Sequence, residues 1–125
     1  SEAYLDLCKA DSSDTSDFHI GLADEETQIG EVCWTNRKTG TPWSVQGDGH
    51  GSMMPTPIYS GRITGAELDH VLFDLTNQVK GWIDGSIPNN GLIIYVYPNH
   101  PVVFDFFGVT HPASENRPRL KVYIN

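Results

Sequence analysis

A chain of 125 residues fits one domain with a single apolar core and needs neither a metal nor dense disulfides to hold it together. Sixteen acidic side chains against eight Lys and Arg give a net charge of −8, which speaks against nucleic acid and anionic polysaccharides, because both need clustered cations. No apolar run approaches the roughly eighteen residues of a membrane helix. The start at Ser1-Glu2 carries no charged and apolar leader, so the expectation is a mature, secreted protein without membrane insertion.

In chain order, residues 3–9 set Ala3, Leu5 and Leu7 in alternation and read as a strand, and residues 11–17 form a polar loop. Phe18, Ile20 and Leu22 alternate with His19 and Gly21 as the return strand of a hairpin. Residues 23–28 form an acidic loop, and residues 32–35 resume the sheet. Residues 36–57 make the longest irregular segment, rich in Gly, Pro, Thr and Ser and carrying Trp43, Asp48 and His50; a loop of that length in a compact domain usually serves function. Residues 58–63 and 71–75 read as short strands.

The organising stretch follows. Thr76 stands where an N-cap hydroxyl belongs, Val79, Trp82 and Ile83 share one helical face, and Gly85 supplies the positive φ that closes a helix. Pro88, Asn89 and Asn90 turn the chain, and Gly91 opens the next strand, its missing side chain permitting close backbone approach near Trp82. Residues 92–97 and 102–109 read as two dense apolar strands joined by the hairpin loop Pro98-Asn99-His100-Pro101, and residues 120–124 close the fold. One helical turn among many short strands predicts an all-β protein: an antiparallel β-sandwich, jelly-roll-like, with one short helix near residues 77–84, formed as a single domain over residues 1–125.

Phe73-Asp74-Leu75-Thr76, then Val79, Trp82, Gly85, Pro88-Asn89 and Gly91-Leu92, together with Val32-Cys33-Trp34-Thr35-Asn36, Arg117-Pro118-Arg119-Leu120-Lys121-Val122-Tyr123 and the alternation Ala3, Leu5, Leu7, form an ordered set of short motifs. This set resembles the DNRLRE-domain family of extracellular β-sandwich modules, some of which are carbohydrate-binding modules. The resemblance implies a jelly-roll-like sandwich and an extracellular role, and it leaves the ligand open. This chain departs from the family pattern in three ways. The strands that usually precede Ala-x-Leu-x-Leu are absent, Cys33 stands in place of a Thr, and the segment around residues 109–115 lacks the Ser-Arg-Glu pattern. An edge left open by the missing strands calls for another strand or subunit to cover it.

The chemistry centres on the hairpin around His100. With Leu92, Ile94 and Val96 facing the core, Ile93, Tyr95 and Tyr97 face outward, and with Phe104 and Phe106 inward, Val103, Asp105 and Phe107 face outward. Three readings of that aromatic face stand side by side: it is covered by the long loop, it is a subunit interface, or it is a ligand platform. As a platform it suits carbohydrate, since sugar C–H faces stack on aromatic rings while hydroxyls bind polar groups; Tyr95 and Tyr97 would stack, and His100 and Asp105 would hydrogen-bond. Trp43, Asp48, His50 and Arg62 form a second candidate site, in which Trp43 is either a stacking surface or a plug for its loop.

No cofactor is required. Asp11, Asp14 and Asp17, or Asp24, Glu25 and Glu26, offer oxygen ligands of the kind calcium takes, without EF-hand spacing, and otherwise form solvated acidic loops. The five histidines have no zinc spacing, and no nucleophile elbow is present, so catalysis is not expected. Cys8 and Cys33, both on outer strand faces by alternation, suit one intrachain disulfide, with an intermolecular bridge or free thiols as the alternatives. The expectation is thus a secreted, non-catalytic lectin or carbohydrate-binding module for neutral sugars, multivalent either as a homo-oligomer or as a module beside a second domain. The alternative is an extracellular structural or adhesion module that self-associates or docks to a protein.

Overall fold

The computed structural model describes residues 1–10, 16–28, 30–33, 35–44, 57–63, 66–95 and 105–125. In chain order its elements are β1 (Glu2–Cys8), β2 (Ser16–Leu22), β3 (Asn36–Lys38), β4 (Thr41–Pro42), β5 (Pro57–Ile63), β6 (His70–Asp74), α1 (Thr76–Asp84), β7 (Leu92–Tyr95), a 3₁₀ turn (Ser114–Asn116) and β8 (Arg119–Tyr123). The strand-rich pattern of the sequence is therefore realised as small antiparallel sheets with one short α-helix among the described residues. The chain divides into two compact units.

The first unit comprises Ser1–Ser16, Arg62–Pro88 and Pro101–Asn125. Its sheet runs β6-β1-β8, with β1 in the middle and antiparallel to both neighbours. Period-two alternation sorts the side chains. Ala3, Leu5 and Leu7 share a face with Val71, Phe73, Leu120 and Val122, while Tyr4, Asp6 and Cys8 share the other with His70, Leu72, Asp74, Arg119, Lys121 and Tyr123. Ala3, Leu7 and Phe73 are buried, and Leu75 and Val79 join them at the start of α1. The helix is tied to β1 by Leu75 N–H donating to the Ala3 carbonyl at 2.9 Å and Ala3 N–H donating to Thr76 Oγ1 at 3.0 Å.

That second bond explains why Thr76 is not the N-cap. Its hydroxyl serves β1, and Asp74 Oδ1 instead accepts the Thr76 N–H at 2.9 Å. Gly85 closes the helix at φ 79°, as the sequence predicts. Ile83 does not join the inward face: Val79 and Gly81 are the buried positions, and Ile87 folds back over Gly81 so closely that a Cβ there would lie 2.5 Å from Ile87 Cδ1.

The second unit comprises Asp17–Gly61 and Asn89–His100. Its main sheet runs β5-β2-β7, with β2 antiparallel to β7 in the register His19↔Tyr95, Ile20↔Ile94, Gly21↔Ile93 and Leu22↔Leu92. β3 and β4 form a separate two-stranded ribbon. Gly91 adopts φ 101°, its carbonyl accepts the Ala23 N–H at 3.0 Å, and the side chain nearest its Cβ position is Thr27.

Three sequence expectations change. β1 and β2 do not form a hairpin, because each is taken into a different sheet by longer-range partners. Residues 32 and 33 are irregular, and the strand there begins at Asn36, since Val32 N–H bonds the Gln28 carbonyl in a turn. Of the strand expected over 102–109, Phe106 makes a single bridge to Lys9 and residues 107–110 leave the sheet; residues 96–104, including the Pro98 loop, lie outside the described set.

Candidate functional site

Two polar centres stand out, one in each unit. In the first, Asp6 occupies the middle strand and is wholly buried. The register places Arg119 directly across β8, with Lys121 and His70 one diagonal step away beside Tyr4 and Cys8. Lys121 Nζ donates to Asp6 Oδ2 at 2.7 Å, Arg119 Nη2 donates to the same oxygen at 3.1 Å, and His70 Nδ1 lies 2.7 Å from Oδ1. Burial pushes the Asp6 carboxyl up, but the hydrogen bonds from Lys121 and His70 outweigh it and hold the group below the ordinary carboxylate range. A carboxylate with both oxygens occupied in this way is an ion network whose chemistry is internal to the sheet.

In the second unit, His19 and Ser60 face each other from adjacent strands β2 and β5, with His19 Nδ1 2.8 Å from Ser60 Oγ. The imidazole lies against the Tyr95 ring, its cross-strand partner, at a centroid distance of 5.3 Å and an interplanar angle of 33°. Ser60 is exposed, His19 half-buried and Tyr95 buried. A hydroxyl has one donor and two acceptor positions, so a single bond to His19 leaves Ser60 Oγ with capacity for a ligand hydroxyl.

Burial along β7 departs from the expected pattern at Tyr95 and Ile94. Tyr95 keeps 9% exposure and Ile94 keeps 40%. Alternation separates two faces of a strand without saying which is covered, and on β7, the last strand of its sheet among the described residues, the apolar Ile94 reaches solvent although its partner Ile20 is fully buried. Tyr95 is therefore a support for His19 rather than an open stacking surface. Trp43 is likewise buried, with its indole N–H donating to the Cys33 carbonyl at 2.9 Å, so its ring is no open stacking surface. Asp105 is exposed in the first unit, where its carbonyl accepts the Ala10 N–H at 2.8 Å. Tyr97, His100, Asp48, His50 and the Arg62 side chain lie outside the described residues.

Among the described residues, no three His, Cys, Asp or Glu side chains gather as a cation site. Glu25 is committed to its own loop, accepting from Ser44 N–H at 3.1 Å and from the Ser44 hydroxyl and lying 4.0 Å from Arg37 Nε. Asp24 and Glu26 are exposed. Cys8 and Cys33 are free thiols; Cys8 lies on the face opposite Leu5 and Leu7, as expected, but that position is buried, whereas Cys33 is exposed. Burial, with Asp6 and Asp69 nearby, raises the Cys8 thiol, whereas hydrogen bonds from the Thr35 hydroxyl and the Asn36 and Thr35 amides lower that of Cys33.

Sequence reasoning missed His19, Ser60 and Asp6 as partners. For Asp6 a signal was present: two cations at alternate positions of the closing strand, Arg119 and Lys121, must share a face, and the polar position of β1 is their natural counter-charge. No family model matches the chain, and neither a curated protein nor a solved structure is similar to it.

Proposed function

We propose that this chain is a secreted, non-catalytic module that binds neutral carbohydrate, built as the jelly-roll-like sandwich that the resemblance to DNRLRE-type domains implies. The observation that carries the reading is the exposed Ser60 hydroxyl, hydrogen-bonded to an imidazole that rests on the Tyr95 ring. Saccharide recognition needs hydroxyl-compatible groups that donate and accept, held rigid beside an aromatic ring. Ser60 and His19 supply the first, and Tyr95 fixes His19 in place. The acidic net charge of −8 supports a neutral rather than an anionic sugar.

The test is a glycan array with multivalently displayed protein, followed by titration of any hit against the wild type, Ser60→Ala and His19→Ala. The expected outcome is millimolar-range binding of a neutral glycan, weakened about tenfold by either substitution, the loss of one hydrogen bond in a shallow site. An array without a hit, or a hit that both variants bind as well as the wild type, overturns the assignment. Release of reducing sugar from the bound glycan overturns its non-catalytic part.

A further inference from the structure

The sheet of the first unit ends on β8, and among the described residues no strand pairs along its outer side. Leu120 and Val122 share a face with Ala3 and Leu7, yet the latter are buried whereas Leu120 and Val122 keep 50% and 47% exposure. Ile124, next in the same alternation, keeps 85%. The apolar face is thus covered over β1 and β6 and bare along β8. An uncovered apolar edge is a template for another strand.

The geometry points to a second copy of this chain as the occupant, paired edge to edge and antiparallel through β8 about a two-fold axis at Val122. Two arguments select it. The first is register. Centring on Val122 sets Val122 against itself and Leu120 against Ile124, merging the two apolar rows, and on the other face sets Lys121 against Tyr123 and Arg119 against Asn125, with no like charges opposed. Centring one residue earlier would set Lys121 against Lys121. Centring between residues would put the apolar row of one copy on the polar side of the other.

The second argument is charge. Edge lysines ordinarily repel an incoming strand. Here Lys121 Nζ and Arg119 Nη2 are drawn inward onto Asp6 at 2.7 Å and 3.1 Å, so the sheet itself offsets the charge that would guard its edge. The pairing is independent of the sugar reading, and its failure leaves that reading untouched.

The experiment uses the full 125-residue chain. Sedimentation measures the size of the wild type and of Val122→Lys. In a Cys33→Ser background, Val122→Cys and Lys121→Cys are each oxidised gently and resolved without reductant. Directly opposed residues of an antiparallel pair lie about 4.5–5.5 Å apart at Cα, within disulfide reach. Two copies of residue 121 in this register would be about 8 Å apart, outside it. The expected result is a dimer whose dissociation constant rises about tenfold or more in Val122→Lys, with covalent linkage in Val122→Cys and none in Lys121→Cys. A chain that stays monomeric into the hundreds of micromolar, a dimer indifferent to Val122→Lys, or linkage through position 121 in place of 122 overturns the proposal.

Discussion

The two three-stranded sheets treat their polar side chains in opposite ways. In β6-β1-β8 the middle strand carries a fully buried carboxylate with both oxygens engaged by three side chains from the flanking strands. In β5-β2-β7 the middle strand carries His19, bonded to an exposed neutral hydroxyl and resting on an aromatic ring. Charge placed in the interior must be matched at once, which leaves nothing for a ligand, whereas an exposed hydroxyl costs little and retains hydrogen-bonding capacity. The same position in a small sheet can therefore hold a structural clamp or a recognition point, and burial decides which.

Substitutions in the two clusters separate these roles. Asp6→Asn should have the largest effect, removing the counter-charge of two cations and costing about 2–4 kcal/mol in chemical denaturation. Because the folded carboxyl sits below its unfolded value of about 3.9, its stabilisation is complete above that value and is lost as pH falls through the folded pKa. Melts of the wild type from pH 6 downward should show that loss, and Asp6→Asn should flatten it; an unchanged acid limb would mean that another group sets it. Lys121→Met should cost only about 0.5–1 kcal/mol, since its head group is partly in water and Arg119 and His70 remain on Asp6. Ser60→Ala should change stability by less than about 0.5 kcal/mol, so any loss of glycan binding in that variant reads directly on recognition. A drop of 2 kcal/mol or more in Ser60→Ala would erase the contrast between the sheets.

A small effect of the opposite sign is expected at Leu68. This exposed residue adopts φ 70°, with its N–H held by the Lys9 carbonyl at 2.9 Å, a conformation that β-carbon-bearing residues other than Asn and Asp rarely take. Leu68→Asn should raise stability by about 0.5 kcal/mol, measured as a shift in the denaturant midpoint at unchanged slope.

Local signals in the sequence carried the β-rich class, the helix with its Gly85 stop and the approximate places of β1, β2, β5, β6, β7 and β8, because period-two alternation and positive-φ glycine are written within a few residues. Pairing was not legible. β1 finds its neighbours at β6 and β8, dozens of residues away, and nothing local in Asp11 to Asp17 distinguishes a hairpin loop from a crossover. Facing failed at Tyr95 for a related reason: alternation sorts residues onto two faces, and only the packing decides which of them is covered. His19 and Ser60 lie 41 positions apart and meet only through strand pairing, so no motif could have joined them.

The unequal surroundings of the two sulfur atoms give the molecule a ready point of chemical attachment. Cys33, exposed and with its thiol pKa lowered by the Thr35 hydroxyl, should take a maleimide fluorophore within minutes at neutral pH, while Cys8 stays silent until the chain is denatured. Thiol counting should therefore give one equivalent in buffer and two in guanidinium, and a count of zero in both would reveal a bridge. A dye carried at that position, beside the ribbon of β3 and β4, would turn a wild-type side chain into a built-in spectroscopic probe.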